Sequence, residues 1–501
     1  MGRILAVDLG GSTLKAGLLT FDGMVKASVA FPVGFDEDGA GRSEQHPDRW
    51  WSAFSDAVEA LAAHDGLDGL AAVVACGATR TQVFLDTRGS PVRPAIGFRD
   101  TRAGPVAEHA LQRPGVADHP EARYLDRYHP LARLLWLRET EPDAWSTTRT
   151  VLEPKDWLVF RLTGRAASDP ISQERLAAAF AGGRGSLAAL AKIDPGMLPP
   201  LREPHCRIGP VLSGLGGALE SLGGVPVFCG SHDTWCAVAG LGALAGGCGY
   251  CISGSSEITG LLAPRPVLAD GLLTVRWGDG LWQIGGPGLN GTNVMDWLAD
   301  LLAPGDGPLE RRITKLEPAA ATARRMLVFH PYLNGERTPH WDGELRGALL
   351  GLDRDHGPAD IVRAVMEGIA LLNREVLERA EQAAGFSAEH VYLAGGGARN
   401  RAWTQIRADV LGREIVVPHD VDAGLAGCLA VARVGLGHFA DVTEAARSIA
   451  IEPRTVRPNP AMRDRCDALW TAFRATHRLV IEASHCLAGV PASAVPTMVV
   501  S

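Results

Sequence analysis

A strand, a turn of small residues and a returning strand occur twice in this chain, near the start of each half. The first copy spans residues 4–21, with small residues at 10–13 in its turn at 9–13, and the second spans 249–262, with small residues at 254–256. The chain has 501 residues, which is more than one hydrophobic core usually supports. The repeat therefore predicts two related lobes.

Helical and strand patterns alternate along the chain. Residues 50–63 have helical periodicity and residues 70–75 form an apolar run typical of a buried strand. Late in the chain, a strand at 391–394 precedes a helix at 402–411 and a strand at 415–417. This alternation predicts an α/β fold.

Glycines at the junction of the two halves suggest where the domains meet. We predict a lobe over residues 1–246, a second lobe over 247–453 and a terminal helix with a poorly constrained tail over 454–501. Gly246 and Gly247 are the predicted hinge, because glycine permits large dihedral changes.

The charge pattern argues against a nucleic-acid or membrane partner. The net charge is −8, from 57 acidic and 49 basic residues, and no Lys/Arg block is present. Residues 234–256 carry no charge, but they are too rich in glycine for a membrane helix and predict a helix, a turn and a strand. We expect a cytoplasmic protein, because the N-terminus lacks a long apolar run.

The nine cysteines are an odd number and are scattered along the chain, which predicts reduced thiols. Cys248 and Cys251 have CxxC spacing, but no second pair or nearby histidine completes a zinc site. We interpret both as small core residues.

Two segments carry residues suited to phosphoryl transfer, which needs backbone donors, a metal-binding carboxylate and a base. In the first, small residues from Gly10 to Thr13 follow Asp8 at the end of an apolar strand. Such loops bind phosphate through backbone N–H groups, although a plain hairpin with an aspartate at its rim would look the same. In the second, Asp233 opens a helix after an apolar strand, either as a base or as an ordinary N-cap.

Five stretches, taken together, resemble the FGGY carbohydrate kinase family, which has the actin-like (ribonuclease H-like) fold of two lobes with a central cleft. They are DLGGST at 8–13, GSHD at 230–233, SGSS at 253–256, PYLNGERTPHW at 331–341 with Arg346-Gly347 after it, and LAGGGARN at 393–400. FRDTR at 98–102 and the stretch 153–164 are similar to N-terminal-lobe segments of the family.

The resemblance implies an enzyme that phosphorylates a small sugar or polyol with ATP and Mg²⁺. Asp233 would be the catalytic base, and Asp8 and Asp233 would contact the metal. The nucleotide would be bound by Gly11, Ser12, Thr13, Lys15, Gly254, Ser255, Ser256, Gly396, Gly397 and Asn400. The sugar would lie near Thr79, Arg80, Asp100, Asp169, Asp233 and Thr234. A homodimer is compatible with these features.

The substrate motif departs from two branches of the family. Glycerol-specific members have an Arg-Glu pair and xylulose kinases commonly have Met-His where this chain has Thr79 and Arg80. A ketopentose such as xylulose is the expected substrate, but Arg80 would equally suit the carboxylate of an aldonate such as gluconate, or could form a salt bridge. Asp422 replaces a glutamate that the family has near the adenine-side helix.

Two other function classes compete with a sugar kinase. GPGLNG at 286–291 fits the GxGxxG pattern of dinucleotide-binding proteins, but a lone match is weak and a tight turn before a helix at 294–302 explains it. A non-kinase ATPase of the actin-like superfamily would keep the phosphate loops without needing Asp233. The chain contains no GxxxxGK[ST] motif, which excludes a Walker-type ATPase.

Overall fold

The computed structural model describes residues 2–278, 280–302, 325–417, 422–449 and 453–489. The chain divides into two compact units, Met1–Gly242 with Val421–Ile451, and Ala243–Asp420 with Glu452–Ser501. The predicted class is confirmed, since each unit contains helices and a large β-sheet.

The division differs from the predicted segments in the late part of the chain. We assigned residues up to 453 to the second lobe, but the Ala423–Gly435 helix packs on the Arg3–Leu9 strand of the first unit. The terminal Arg463–Ala488 helix is part of the second unit, where its Leu469 and Phe473 are buried in the core. Local sequence patterns do not reveal such returns of the chain, because packing partners far apart in sequence decide them.

The first unit is built on a six-stranded sheet. Arg3–Leu9 lies inside it, antiparallel to Thr13–Thr20 and parallel to Leu70–Gly77. The sheet order is Arg207–Pro210, Pro226–Phe228, Leu70–Gly77, Arg3–Leu9, Thr13–Thr20 and Val25–Pro32. Smaller sheets comprise Asp36–Glu37, Ser43–Gln45 and Ala95–Ile96, and Val83–Leu85 with Thr150–Leu152.

Helices cover this sheet with apolar faces. The Pro47–Asp65 helix begins at a proline, which cannot donate a backbone hydrogen bond and is tolerated there. Its buried Trp50, Phe54 and Leu61 recur at helical spacing and join the sheet core. The unit's α-helices are Pro47–Asp65, Gly104–Leu111, Pro130–Thr140, Pro142–Thr147, Pro154–Thr163, Glu174–Phe180, Leu187–Leu190, Asp233–Gly240, Ala423–Gly435 and Val442–Arg447.

The second unit is built on a seven-stranded sheet. Its order is Leu273–Gly278, Leu281–Pro287, Glu257–Ala263, Gly249–Ser253, His390–Ala394, Glu414–Val417 and Arg454–Val456. Val328–His330 and Ala348–Leu350 form a separate pair. The unit's described α-helices are Thr292–Leu302, Pro358–Ala384, Arg401–Leu411 and Arg463–Ala488.

The two sheets share one topology, as the repeated strand–turn–strand pattern predicts. In the second unit, Gly249–Ser253 is antiparallel to Glu257–Ala263 and parallel to His390–Ala394. Arg3–Leu9 has the same two relations in the first unit. Each small-residue turn therefore follows a strand that lies inside its sheet, with a parallel partner on one side.

The uncharged segment at 234–256 forms the predicted helix and strand, Asp233–Gly240 and Gly249–Ser253. Among the described residues, no helix combines the length and the apolar character needed to cross a membrane.

Two helices of the first unit pack at unusually short distance through glycine. A Cβ placed on Gly427 would lie 1.9 Å from the backbone oxygen of Cys236, and one on Gly240 would lie 2.1 Å from the backbone oxygen of Ala423. These contacts leave no room for a side chain, so glycine is required at both positions.

We expect Gly427→Ala to lower the free energy of unfolding by about 3 kcal/mol, because an added methyl group must push the Cys236 backbone away. Chemical denaturation followed by circular dichroism measures the change. Gly34→Ala is the matched control, since nothing lies within 4 Å of its Cβ position. Equal stability of both variants would contradict the close packing.

Candidate active site

Asp8 lies at the end of the Arg3–Leu9 strand, where two other carboxylates approach it. Burial, together with the negative charges of Asp422 and Asp233, raises the pKa of Asp8 to about 8, and Lys15 and the Cys76 thiol oppose part of the change. Its Oδ1 is buried and has no hydrogen-bond partner among the described residues. A cation would relieve both the repulsion and the missing contact.

Asp422 is the member of this group that the sequence analysis did not assign to the metal. It caps the Ala423–Gly435 helix by accepting hydrogen bonds from the backbone N–H groups of Gly424 and Leu425. Its other oxygen accepts from Lys15 Nζ at 2.6 Å. The helix that Asp422 caps packs in the first unit, and the expected place of Asp422 near the adenine stays a prediction.

The turn after Asp8 is short and open. The Gly10 N–H donates to the backbone oxygen of Thr13 at 3.1 Å, and Ser12 is exposed. A Cβ on Gly11 would lie 2.8 Å from the Phe98 ring, so glycine is needed there. The turn exposes small residues beside Asp8 and Lys15, as a phosphate-binding loop requires.

Asp233 is the first residue of the Asp233–Gly240 helix and not its N-cap. The cap is His232, whose side chain accepts from the Trp235 N–H at 3.2 Å. The capping explanation for Asp233 is therefore wrong. Its Oδ1 accepts from the Thr234 N–H at 2.6 Å and from Thr234 Oγ1 at 3.1 Å, and its side chain is 35% exposed. Asp233 thus remains accessible to a ligand, and Thr234 orients it.

Asp169 is fully buried and its carboxylate is occupied by protein groups. Oδ1 accepts from Ser231 Oγ at 2.8 Å and from the backbone N–H of Ser172 at 2.9 Å. Oδ2 forms an ion pair of 2.8 Å with Lys155, which is also buried. Asp169 therefore fixes the segment that leads into Asp233, and a direct sugar contact stays a prediction.

Asp100 is similarly engaged. It is 1% exposed, and its oxygens accept from the Ser43 N–H at 3.0 Å and from the Arg102 guanidinium at 2.7 Å. These bonds assign it a structural position, and its expected contact with substrate is untested.

Thr79 and Arg80 follow the Leu70–Gly77 strand and are held by a glutamate that sequence reasoning did not single out. Glu153 Oε1 accepts from Thr79 Oγ1 at 3.0 Å and from the Arg80 N–H at 2.9 Å. Arg80 has φ 57°, a conformation uncommon outside glycine. Glu153 caps the Pro154–Thr163 helix. It is the first residue of the family-like stretch at 153–164, so that stretch could have indicated this contact.

The Arg80 guanidinium has no hydrogen-bond or ion-pair partner among the residues that the structure describes. Within the described parts of the chain, no hydrogen bond or ion pair of 4.0 Å or less reaches it. Burial lowers its pKa, and the nearby Arg175 cation adds to the effect. The salt bridge considered for Arg80 is therefore not formed with any residue that the structure describes.

In the second unit, the turn at 254–256 is supported by a buried ion pair. Arg407 Nη2 donates to Glu257 Oε1 at 2.7 Å and to Ser253 Oγ at 2.9 Å. Ser253 Oγ also donates to Glu257 Oε1 at 2.6 Å. This network fixes the residue before the turn, while Ser255 stays exposed.

A second glycine turn lies against the same segment. A Cβ on Gly395, which has φ 88°, would lie 2.3 Å from the backbone oxygen of Ser253. Gly396 is exposed and open, and Asn400 caps the Arg401–Leu411 helix by accepting from the Trp403 N–H at 2.8 Å. The Nδ2 group of Asn400 is buried without a partner among the described residues, so it is a free donor for a ligand.

The GxGxxG stretch is a structural turn. It joins the Leu281–Pro287 strand to the Thr292–Leu302 helix, and a Cβ on Gly291 would lie 2.7 Å from the backbone of Ser256. The Thr292 N–H donates to the backbone oxygen of Gly254 at 2.9 Å. The stretch therefore supports the 254–256 turn.

The structure brings the predicted residues together as two groups. The first unit joins Asp8, Lys15 and Asp233 with the turn at 10–13 and adds Asp422. The second unit joins the turns at 254–256 and 395–397 with Asn400. The first group offers a hard divalent cation the carboxylate oxygens that it prefers, although its three carboxylates do not all lie within 4.8 Å of one another. The second group fits a polar ligand that approaches glycine backbone.

Comparison with known proteins identifies the family of both halves of the chain. Residues 3–240 match the N-terminal domain, and residues 249–436 the C-terminal domain, of the FGGY family of carbohydrate kinases. A xylulose kinase of Bacillus subtilis is 28% identical, with 91% of this chain and 93% of the relative covered.

Two solved structures have the same fold. A ligand-bound xylulose kinase from Lactobacillus acidophilus has a TM-score of 0.86 at 21% identity, covering 97% of this chain and 100% of the other. A gluconate kinase from Lactobacillus acidophilus has a TM-score of 0.83 at 22% identity, covering 96% and 98%.

We expect Asp8→Asn to gain thermal stability relative to the wild type as the pH rises from 4 to 8 in the presence of chelator. The folded pKa of about 8 exceeds the ordinary 3.8, so over this window the unfolded carboxyl is ionised while the folded one keeps its proton, and the stability of the wild type falls as the pH rises. Asparagine does not titrate and escapes this loss. Melting temperatures measured across the window test this.

Asp86→Asn is the control with the opposite sign. Hydrogen bonds from Ser90 and Arg88 lower the pKa of Asp86 below its ordinary value of 3.8. The contribution of Asp86 to stability therefore changes only at pH values near and below 3.8, and it should be constant from pH 5 to 8. A difference in melting temperature between Asp8→Asn and the wild type that does not change with pH would contradict the raised pKa of Asp8.

Proposed function

Because the chain belongs to the FGGY family of carbohydrate kinases, we propose that it transfers a phosphoryl group from ATP to a hydroxyl group of a small sugar, a ketopentose such as xylulose. The observation that carries this proposal is the convergence of Asp8, Asp233 and Asp422 beside a small-residue turn. Such a group can hold a metal ion and accept a proton, the two tasks that side chains perform in phosphoryl transfer.

The residues of the first unit receive the following roles, and Asp233 has two of them. Asp233 accepts the proton of the attacking hydroxyl group, since it is accessible and oriented by Thr234. Asp8 and Asp233 would hold Mg²⁺, together with Asp422, and the metal would neutralise charge that develops on the phosphates. Lys15 and the backbone of Gly11, Ser12 and Thr13 bind phosphate oxygens.

The second unit binds the nucleotide in this proposal. The backbone at Gly254, Ser255 and Ser256 contacts phosphates, and Gly396, Gly397 and Asn400 flank the adenosine. The unpartnered Nδ2 group of Asn400 supports this role, because a buried donor without a partner is costly unless a ligand completes it.

A ketopentose is favoured because a xylulose kinase of Bacillus subtilis is among the relatives that match nearly the whole chain. An aldonate such as gluconate is the second candidate, and a specific observation supports it. Arg80 and Arg175 lie close enough for their charges to interact, and the Arg80 guanidinium has no hydrogen-bond partner among the described residues. A carboxylate could accept two hydrogen bonds from Arg80.

We expect Asp233→Asn to reduce kcat by about two to four orders of magnitude while preserving ATP binding, because an amide cannot accept the proton. A coupled assay of sugar-dependent ADP release gives kcat, and calorimetry gives ATP affinity. Asp56→Asn, at an exposed position of the Pro47–Asp65 helix, should behave as wild type. Full turnover of Asp233→Asn would exclude it as the base, and ADP release that does not depend on sugar would favour an ATPase.

We expect Arg80→Met to lower kcat/KM for the true substrate by an amount equivalent to about 2 kcal/mol or more if Arg80 contacts it. The assay compares ketopentoses, polyols and aldonates. Arg88→Met is the control, because Arg88 is exposed and pairs with Asp86. A loss confined to aldonates identifies that class, and a loss confined to ketopentoses supports xylulose. Unchanged kinetics on every substrate would remove Arg80 from the site.

A further inference from the structure

Three thiols converge beneath Asp8 in the core of the first unit. Cys76 lies on the Leu70–Gly77 strand, Cys236 on the Asp233–Gly240 helix and Cys428 on the Ala423–Gly435 helix. Their sulfur atoms all lie within 4.8 Å of one another, and all three side chains are fully buried. In the described part of the chain, no other group of three or more potential ligands meets this distance.

Close helix packing explains why these residues are small but not why they carry sulfur. The two helices meet at Gly240 and Gly427, so a large side chain could not fit beside them. Alanine or serine would satisfy the same size limit. The thiols make long contacts with backbone oxygens, Cys236 with Ser231 at 3.8 Å and Cys428 with Val7 at 3.7 Å, and thiols are weak donors.

We propose that Cys76, Cys236 and Cys428 form a binding site for a soft, thiolate-preferring metal ion of the Zn²⁺, Cd²⁺ or Cu⁺ class. Thiolate is the ligand that such ions select. Metal–sulfur bonds of about 2.3 Å place three sulfurs about 4 Å apart around one ion, so the observed cluster needs to contract only slightly.

Binding exchanges protons for metal. Three S–H bonds break, three metal–sulfur bonds form and three protons leave to solvent, so a divalent ion leaves a site of net charge −1. Asp8 pairs in register with Cys76 on the adjacent strand, so its carboxyl group lies beside the cluster. That carboxyl group is outside the set of ligands within 4.8 Å of one another, and it must move toward the ion to become a fourth ligand.

This arrangement makes the thiol site inhibitory. An ion held by the three cysteines replaces the thiol proton of Cys76 and attracts the neighbouring Asp8 carboxylate toward itself. Asp8 is then lost to the magnesium site of the proposed kinase. Metal uptake itself does not depend on the proposed function.

The test titrates reduced, chelator-treated full-length protein with Cd²⁺ in excess Mg²⁺, which occupies carboxylate sites. We expect an ultraviolet thiolate-to-metal charge-transfer band that saturates at about one equivalent. Cys428→Ala should lose the band at that stoichiometry. Cys206→Ala, which removes a half-buried thiol outside the cluster, should keep it. A folded wild type without the band, or a band unchanged in Cys428→Ala, overturns the proposal.

A second measurement needs no variant, in case removal of a buried thiol prevents folding. The native protein is exposed briefly to an alkylating reagent and is then unfolded, and the thiols that are still free are alkylated with a second reagent. Mass spectrometry then reports each cysteine separately. One equivalent of Cd²⁺ should slow alkylation of Cys76, Cys236 and Cys428 together and leave the exposed Cys486 unaffected. Protection of Cys486, or none in the cluster, refutes the site.

Inhibition of the enzyme is measured in a separate experiment. One equivalent of Cd²⁺ should reduce sugar-dependent ADP release by the wild type at least tenfold, and Cys428→Ala should resist it. If the charge-transfer band forms in a protein that phosphorylates no sugar, the proposed function has failed and the metal site stands. If the protein phosphorylates sugar but shows no band, the metal site has failed and the proposed function stands.

Discussion

The close contact between two helices at Gly240 and Gly427 is the packing on which the candidate site of the first unit depends. One helix begins at Asp233 and the other is capped by Asp422. Because a backbone oxygen occupies the space that a side chain would need, both helix starts are held near the end of the strand that carries Asp8. Three carboxylates from distant parts of the chain thereby share one small region.

This geometry has an electrostatic cost that a ligand can remove. Burial and the charges of Asp422 and Asp233 together raise the pKa of Asp8 to about 8. Lys15 offsets part of the repulsion through its ion pair with Asp422. A divalent cation would offset the rest, because it is attracted to carboxylates that repel one another. The second unit uses a different device, a fully buried Glu257–Arg407 pair that fixes the start of its turn.

Much of the fold could be predicted from the sequence because it depends on local patterns. The apolar strand, the small-residue turn and the return strand are local, and both copies form as expected. Asp8 and Asp233 could be predicted for the same reason, since each follows an apolar strand. Asp422 could not, because its partners Asp8 and Lys15 are some four hundred residues earlier, and neither helix periodicity nor spacing reports that distance.

The cysteines show the same division between sequence and tertiary structure. The sequence drew attention to Cys248 and Cys251 because they are near neighbours, yet the cluster that forms is Cys76, Cys236 and Cys428. By itself, the sequence determined the α/β class, the two related units and the residue types suited to phosphoryl transfer. Only the tertiary structure decided which carboxylates and thiols meet, because these contacts depend on two helices that are distant in sequence and approach each other at glycine.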